Sequence, residues 1–156
     1  MILDEYKTIS QKIGEGFYSE KRSKFLAFAH HVTSEDEIKS ILLAYKKKYY
    51  DARHCCYAYM LGAERVNFRA NDDGEPSSTA GKPILGQINS FELTDILIVV
   101  IRYFGGTKLG TSGLIVAYRS AAAAAIEASQ IEVKLVEETI TYTFAYPMMN
   151  QVMRIV

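Results

Sequence analysis

The sequence predicts a fold that combines β-strands and α-helices, of the α+β or α/β class. An unbroken apolar run at residues 96–101 has the composition of a central strand that is covered on both faces of a sheet. Before it, apolar residues between Ile38 and Tyr49 recur at helical spacing. After it, an alanine-rich stretch at residues 114–128 predicts a helix that can lie close against a sheet.

Length and composition indicate a globular protein. A chain of 156 residues fits one domain, or one domain with a fragment of another, and 49% of its residues are hydrophobic while 23% are charged. The sequence has no apolar run of about 18 residues, and its first residues alternate charged with apolar positions instead of forming a leader peptide. We therefore expect a cytoplasmic protein without a membrane partner.

The charge and the cysteines exclude several classes of function. Eighteen basic and eighteen acidic residues cancel, so the overall attraction expected of a dedicated nucleic-acid binder is missing and only a local basic patch remains open. Cys55 and Cys56 are adjacent in the chain, which does not match metal-ligand spacing or a disulfide framework. We expect them to be reduced thiols packed in a strand.

The first fifty residues predict a hairpin followed by a helix. Residues 23–32 form an apolar run of strand character, and the preceding Gly14 and Gly16 suit a turn between two strands. Ser34 stands three positions before Glu37, the spacing of a capping box, so a helix begins there. The lysines at 39 and 46–48 are better explained as the solvated face of this helix than as a nucleic-acid patch, which is the alternative.

The middle of the chain predicts strands and a short helix around the central strand. Residues 55–61 form a short aromatic strand, with residues 66–69 as its returning partner and residues 70–78 as a loop. Residues 79–89 predict a helix whose regular part Gly81 and Pro83 confine to its later turns. Residues 95–104 contain the central strand, and a glycine-rich loop separates it from the alanine-rich helix.

The end of the chain predicts a strand over residues 132–146 and a helix from Pro147. One strand and one short helix cannot bury their apolar faces alone. We therefore expect Tyr142, Phe144, Met149 and Met153 to pack on the first domain or on another subunit, or else to remain disordered.

Three segments carry polar residues suited to chemistry, and the first of them leads into a strand. In the segment at residues 51–59, His54 precedes the apolar stretch, where it could act as a general base or a ligand near neutral pH. The alternative is that His54 only caps the end of the strand.

The second segment, residues 71–83, places Asp72, Asp73 and Glu75 with three hydroxyl side chains in a loop that enters a helix. Paired carboxylates can bind a cation or divide the roles of acid and base. The same residue types also form turns and helix caps, which is the alternative interpretation. The spacing is not that of a P-loop, because six residues separate Gly74 from Gly81.

The third segment, residues 102–114, predicts a site for an anion. A buried strand leads through Gly105, Gly106 and Gly110 into a helix, so unpaired backbone N–H groups and the positive end of the helix dipole meet there. Lys108, Thr111 and Ser112 are placed to add donors. The alternative to an anion site is that the glycines serve only a tight turn and close packing.

The sequence supports no cofactor and no metal site. The glycine spacing misses the dinucleotide pattern G-x-G-x-x-G, and the chain has no G-x-S-x-G nucleophile elbow. No Ser/His/Asp or Cys/His set can be identified from the sequence. Any chemistry must therefore be assembled from the three segments.

Taken in this order, the three segments resemble the IMPACT family. Each is weak evidence alone, but the ordered set is specific, and the resemblance covers residues 15–130. The matching residues are Asp51-Ala52-Arg53-His54, then Asp73-Gly74-Glu75-Pro76-Ser77 with Thr79-Ala80-Gly81-Lys82-Pro83, and then Arg102-Tyr103-Phe104-Gly105-Gly106 with Lys108-Leu109-Gly110. Ser78 departs from the family pattern, which usually has glycine there.

The resemblance implies a two-layer sandwich of the ribosomal protein S5 domain 2-like fold at residues 1–135. It further implies that residues 136–156 are the opening strand and helix of a truncated ferredoxin-like second domain. Eukaryotic relatives act by protein binding, restraining an amino-acid-starvation kinase of translation initiation by competing for its activator.

Two hypotheses for function follow. The first is a non-enzymatic, translation-associated regulator that binds a protein, the ribosome or RNA through a polar cleft, with phosphate or another anion as a small ligand. The second is an enzyme for a phosphorylated or nucleotide substrate, with His54 as base and Asp73 and Glu75 handling a metal or a proton. The residues expected to bind are Arg53, Ser77, Thr79, Lys82, Arg102, Gly105, Gly106, Lys108, Gly110, Thr111 and Ser112. Either hypothesis requires His54, Asp73, Glu75, Arg102 and Lys108 to converge on one partly exposed cleft.

Overall fold

The structure of the protein, a computed structural model, describes residues 4–136. The strand and helix predicted beyond residue 136, and the packing expected of their apolar residues, lie outside the described residues. The elements in chain order are β1 (Glu5–Ile9), β2 (Gly14–Glu20), β3 (Ser23–His31), α1 (Glu35–Lys48), β4 (His54–Leu61), β5 (Asn67–Asn71), α2 (Gly81–Ser90), β6 (Ile96–Tyr103), α3 (Gly110–Glu127) and β7 (Ile131–Leu135).

The mixed α/β class is confirmed, and the predicted central strand lies in the middle of a five-stranded sheet. The strand order is β2-β3-β6-β4-β5, and every neighbouring pair is antiparallel. All residues of β6 except Tyr103 are buried. A separate two-stranded antiparallel sheet joins β1 to β7.

Helices cover both faces of the five-stranded sheet. Leu97, Val99 and Ile101 of β6 pack with residues of α1 on one face, while Ile98 and Val100 pack with α2 and α3 on the other. The domain therefore has three layers, not the two that were predicted. The reason lies in β6, because a strand without polar positions exposes apolar side chains to water unless both faces of the sheet are covered.

The prediction that Gly14 and Gly16 form a turn was wrong. Both lie inside β2, and the turn to β3 is made by Lys21 and Arg22, each with positive φ. A Cβ on Gly16 would lie 2.4 Å from the backbone nitrogen of Ala125. The glycine therefore allows α3 to pack directly on the strand, a contact between segments that are distant in sequence.

The helix boundaries agree with the sequence at α1 and differ elsewhere. The N-cap bond of the predicted capping box is present, since Ser34 Oγ accepts from the Glu37 backbone N–H at 3.2 Å, while Glu37 Oε1 accepts from the N–H of Thr33, one residue before the cap, at 3.0 Å. Helix α2 is already regular at Gly81, because Pro83 lies in the first turn, where a missing N–H costs no intrahelical bond. Helix α3 begins at Gly110 instead of residue 114.

The ends of several strands and helices lie together at one end of the sheet. Lys24 pairs with Tyr103 and His54 pairs with Arg102, so β3 and β4 begin where β6 ends. Helix α1 ends just before β4, and α3 begins just after β6. We call this end of the sheet the cleft end, because the cleft described below opens there. All three polar segments meet there.

Candidate functional site

A cleft of about 450 Å³ opens at the cleft end between β4, β6 and the start of α3. Its walls come from all three polar segments. The lining residues are Arg53, His54, Gly74, Glu75, Pro76, Arg102, Phe104, Lys108, Leu109, Gly110, Thr111 and Leu114. A depression of about 490 Å³ at the other end of the sheet contains none of the predicted site residues.

A buried ion pair forms the floor of this cleft. Glu75 and Arg102 are 7% and 5% exposed, and Arg102 Nη1 donates to Glu75 Oε1 at 3.0 Å and to Oε2 at 2.8 Å. Tyr118 OH also donates to Glu75 Oε2, at 2.5 Å. Because its oxygens already accept from a guanidinium and a phenol, Glu75 is held as a structural acceptor.

Arg102 connects the floor of the cleft to the surrounding strands, but not all of its N–H donors have an acceptor among the described residues. Its Nη2 donates to Ser23 Oγ at 3.3 Å, and the guanidinium lies near the rings of Phe25 and Phe104. Its Nε is buried and has no hydrogen-bond partner among the described residues. A buried N–H donor without an acceptor is costly, so this atom is a place where an additional acceptor would be favourable.

His54 forms one wall of the cleft, in an orientation fixed by the loop after β5. Its Nδ1 lies 2.7 Å from the backbone carbonyl of Asp73, and a carbonyl can only accept, so Nδ1 carries a proton. The other ring nitrogen, Nε2, lies 3.5 Å from Glu75 Oε1. The arrangement fits a positioned base as well as a charge partner of Glu75.

The carboxylates of Asp72 and Asp73 organise the loop and do not point into the cleft. Asp73 Oδ2 accepts from the Cys55 N–H at 2.7 Å. Asp72 accepts from the N–H groups of Ser78, Ala80 and Gly81 at 2.8 to 3.1 Å. Asp72 thus satisfies two of the free donors at the start of α2, those of Ala80 and Gly81, as the capping interpretation of this segment proposed.

The glycine loop combines close packing with unusual backbone conformation. A Cβ on Gly105 would lie 2.1 Å from the backbone carbon of Arg22, so this glycine allows the loop to touch the turn between β2 and β3. Gly106 and Gly110 have φ of +94° and +75°. At these two positions the left-handed conformation, and not lack of space, favours glycine.

Positive charge lines the open side of the cleft. Lys108 is exposed, and the Arg53 guanidinium stacks on the ring of Phe104 at 4.6 Å from its centre. Thr111 lines the cleft at the N-terminus of α3, where the helix dipole is positive and the first N–H groups have no intrahelical acceptor. The side of the cleft facing solvent is therefore suited to an anion.

The structure brings together four of the five residues expected to converge, namely His54, Glu75, Arg102 and Lys108. Asp73 reaches the site only through its carbonyl contact with His54. Six residues of the predicted binding set do not line the cleft: Ser77, Thr79, Lys82, Gly105, Gly106 and Ser112. Thr79 is buried and its hydroxyl donates to the Pro76 carbonyl at 2.6 Å, which is a turn contact. Functional roles for the lining residues remain predictions.

Sequence reasoning missed three residues that support the floor. Tyr118, Cys56 and Ser23 were not assigned to the site, yet Cys56 Sγ lies 3.4 Å from Tyr118 OH and Ser23 Oγ accepts from both Arg102 and the Gly105 N–H. Burial, with Glu75 and Cys56 nearby, raises the pKa of Tyr118 far above its usual value, so the phenol keeps its proton and donates to Glu75. Tyr118 lies in an alanine-rich helix and Ser23 follows a turn, so neither stands out in the sequence.

Across residues 4–136 no cluster of three or more histidine, cysteine or acidic side chains is arranged to hold a metal ion. Among the same residues, no helix has the length and apolar character needed to cross a membrane.

Sequence comparison with known proteins finds relatives from one family. The family model described as Impact N-terminal domain matches residues 21–126. The chain is 41% identical over 117 residues to the IMPACT family member YvyE of Bacillus subtilis, covering 75% of this chain and 54% of that protein. It is 39% identical over 102 residues to the IMPACT family member YigZ of Escherichia coli, covering 63% and 49%.

A solved structure described as a hypothetical protein shares the fold, with a TM-score of 0.81 and 30% identity over 86% of this chain and 66% of that one. The chain spans about half the length of the curated relatives that it matches.

Proposed function

Because the chain belongs to the IMPACT family, we propose that it is a translation-associated regulatory protein that binds its partner through the cleft at the end of the sheet. An anionic group of the partner, such as a phosphate, lies on the Lys108 side of the cleft. The domain is assigned to the S5 domain 2-like folds and its place of action to the cytoplasm, as the family resemblance implies.

Two cations that line one cleft, Arg102 and Lys108, are the observation that carries this proposal. Arg102 lines the cleft, is 5% exposed and keeps one donor without an acceptor among the described residues. The exposed Lys108 and the N-terminus of α3 line the same cleft. An anion there would accept charge-assisted hydrogen bonds, each contributing on the order of 1.5 to 3 kcal/mol, which is enough for weak binding of free phosphate.

The contacts of Glu75 favour binding over catalysis. A general acid or base must be able to exchange its proton with a substrate, and Glu75 is instead engaged by Arg102 and Tyr118. The carboxylate of Asp73 is engaged by the backbone of Cys55. The two carboxylates expected to handle a metal or a proton therefore act as structural acceptors.

One observation favours an enzyme as the second candidate. The carbonyl of Asp73 fixes the His54 ring and leaves Nε2 as its proton-accepting atom in the cleft wall. A phosphorylated or nucleotide substrate held by Lys108 would lie in the same cleft as this base. Release of inorganic phosphate from nucleotides by the wild-type protein, lost in His54→Gln with the fold intact, would favour this candidate.

Titration with inorganic phosphate, followed by amide NMR, tests the proposed anion site. We expect shifts at residues 107–114 at millimolar phosphate. Gly110→Val should weaken binding because valine disfavours the left-handed conformation, and Lys108→Ala should weaken it less and in a salt-dependent way.

Lys82→Ala is the matched control, since Lys82 is an exposed lysine that does not line the cleft. The proposed site would be ruled out if residues 107–114 did not shift, or if Lys82→Ala weakened binding as much as Lys108→Ala.

A further inference from the structure

Although the net charge of the chain is zero, acidic and basic residues are concentrated at opposite ends of the sheet. The end opposite the cleft carries the first turn of α1, with Glu35, Asp36 and Glu37, and also the exposed Glu64 and Glu92. The cleft end carries exposed basic residues on three different elements. Both ends belong to one sheet, so their positions are fixed by strand direction.

Six exposed basic residues lie at the same end of the sheet as the cleft. Lys21, Arg22 and Lys24 lie at the turn between β2 and β3, and the lysines at 46–48 form the last turn of α1. All are exposed, and none forms an ion pair with another residue in the range 4–136. We call these six residues the basic rim.

The acidic residues at the same end are engaged within the domain. Asp51 accepts from Tyr103 OH at 2.9 Å, and Glu20 accepts from Tyr18 OH at 3.3 Å. Asp72 and Asp73 accept from backbone N–H groups, and Glu75 is buried against Arg102. Only Glu75 has its charge paired, with Arg102, and the six basic residues of the rim outnumber the other four carboxylates, so this end presents an excess of positive charge to solvent.

An exposed aromatic residue lies beside the rim. Tyr50 is 83% exposed and follows the last turn of α1 directly, between the lysines at 46–48 and the strand entry at Arg53. A tyrosine this exposed contributes little to folding. Beside the lysines of the rim it offers a face on which an unpaired base can stack, the combination found in proteins that bind single strands.

We propose that the basic rim binds single-stranded RNA, with phosphates along the lysines and a base stacked on Tyr50. This inference deepens the proposed function and rests on it, because it names the partner whose phosphate would occupy the cleft. An acidic protein would satisfy the lysines but gives no role to an exposed aromatic ring beside them.

Fluorescence anisotropy with a labelled single-stranded RNA of about 20 nucleotides tests the rim, with affinity measured between about 50 and 200 mM salt. The triple variant Lys24→Gln, Lys46→Gln, Lys47→Gln removes three charges from the rim and leaves the cleft residues unchanged. Its matched control is Lys12→Gln, Lys39→Gln, Arg119→Gln, three exposed basic residues outside the rim.

The rim variant should bind more weakly than the control variant, and the slope of log affinity against log salt should fall by about 2, since each phosphate contact on a single strand contributes about 0.7. Equal loss in the two triple variants, or no RNA binding by the wild type at about 50 mM salt, would overturn the proposal. Binding of polyglutamate as tight as that of RNA would assign the rim to a protein and also overturn it.

Tyr50 gives a second, independent measurement. Tyr50→Ala should lower RNA affinity by about fivefold or more at every salt concentration with an unchanged salt slope, because stacking carries no charge. Tyr50→Phe keeps the ring and should bind as the wild type does. An unaffected Tyr50→Ala variant would overturn the stacking arrangement.

The phosphate titration separates the two levels of inference. If RNA fails to bind while phosphate still shifts residues 107–114, the rim is not an RNA surface and the cleft proposal stands. If phosphate also fails to shift these residues, both proposals fall.

Discussion

Arg102 and Glu75, 27 positions apart in the chain, form a hydrogen-bonded ion pair at 2.8 and 3.0 Å in the floor of the cleft. Both side chains are almost fully buried. The pair holds the loop after β5 against the end of the central strand. The shape of the cleft therefore depends on this contact.

Glu75→Gln should lower the free energy of unfolding by about 3 to 5 kcal/mol, because it leaves the buried Arg102 charge without its counter-charge. Urea unfolding followed by circular dichroism measures this. Asp51→Asn is the control, since Asp51 is exposed and its change should cost less than about 1 kcal/mol. Equal effects from the two variants would contradict a structural role for the pair.

Ser78→Gly should stabilise the protein by about 0.5 kcal/mol. Ser78 has φ of +66°, a left-handed conformation that costs a non-glycine residue about 1 to 2 kcal/mol, while glycine adds about 0.5 to 1 kcal/mol of chain entropy. Ser77→Gly is the neighbouring control, without a positive φ, and should be neutral or destabilising. Thermal unfolding of the two variants decides, and a lower Tm for Ser78→Gly would be inconsistent with a strained serine.

Gly16→Ala and Gly86→Ala should change stability in opposite directions. A Cβ on Gly16 would meet the Ala125 backbone nitrogen at 2.4 Å, and we expect a loss of about 3 kcal/mol from overpacking. Gly86 lies in α2, and a Cβ added there would have no atom within 4 Å, so alanine should stabilise by about 1 kcal/mol. Urea midpoints measure both, and an unchanged Gly16→Ala protein would refute direct packing of α3 on β2.

The two cysteines should be unreactive in the folded protein. Burial raises the pKa of Cys55 to about 11 and that of Cys56 still further, so neither is a thiolate at pH 8. A thiol reagent such as DTNB should react with them only after unfolding in urea. Ser77→Cys adds an exposed thiol as a positive control, and rapid reaction of the native wild type would contradict this prediction.

Stability should fall as the pH drops below about 6.5, the pKa of an unperturbed histidine, in part because of His30. Burial lowers the pKa of His30 in the folded state, with the nearby Glu37 opposing this shift only in part. The unfolded chain therefore binds a proton at a pH where the folded His30 stays neutral, so acid favours unfolding.

His30→Gln should reduce the loss of stability between pH 7 and pH 5.5, measured by urea unfolding at both values. Glutamine also removes the contact with Tyr45 OH at 2.5 Å, so the variant is less stable at both pH values and only the difference between them is informative. A difference equal to that of the wild type would remove His30 from the acid response.

The sequence alone determined the elements whose evidence is local. The apolar run of β6 requires cover on both faces, and Ser34 with Glu37 fixes the start of α1 through contacts within one turn. The three polar segments were also recognisable, because each is a continuous stretch of unusual residues. Their convergence followed from the ordered resemblance to a family and not from local chemistry.

Only the tertiary structure decided which partner each side chain has. Gly16 serves packing with α3, Asp72 caps the start of α2, and Tyr118 holds Glu75 across 43 positions of sequence. The physical reason is that strand register and helix placement set these distances, and neither is encoded within a single segment. The separation of charge was also decided by the tertiary structure, because the net charge of a chain does not determine which end of the sheet each lysine occupies.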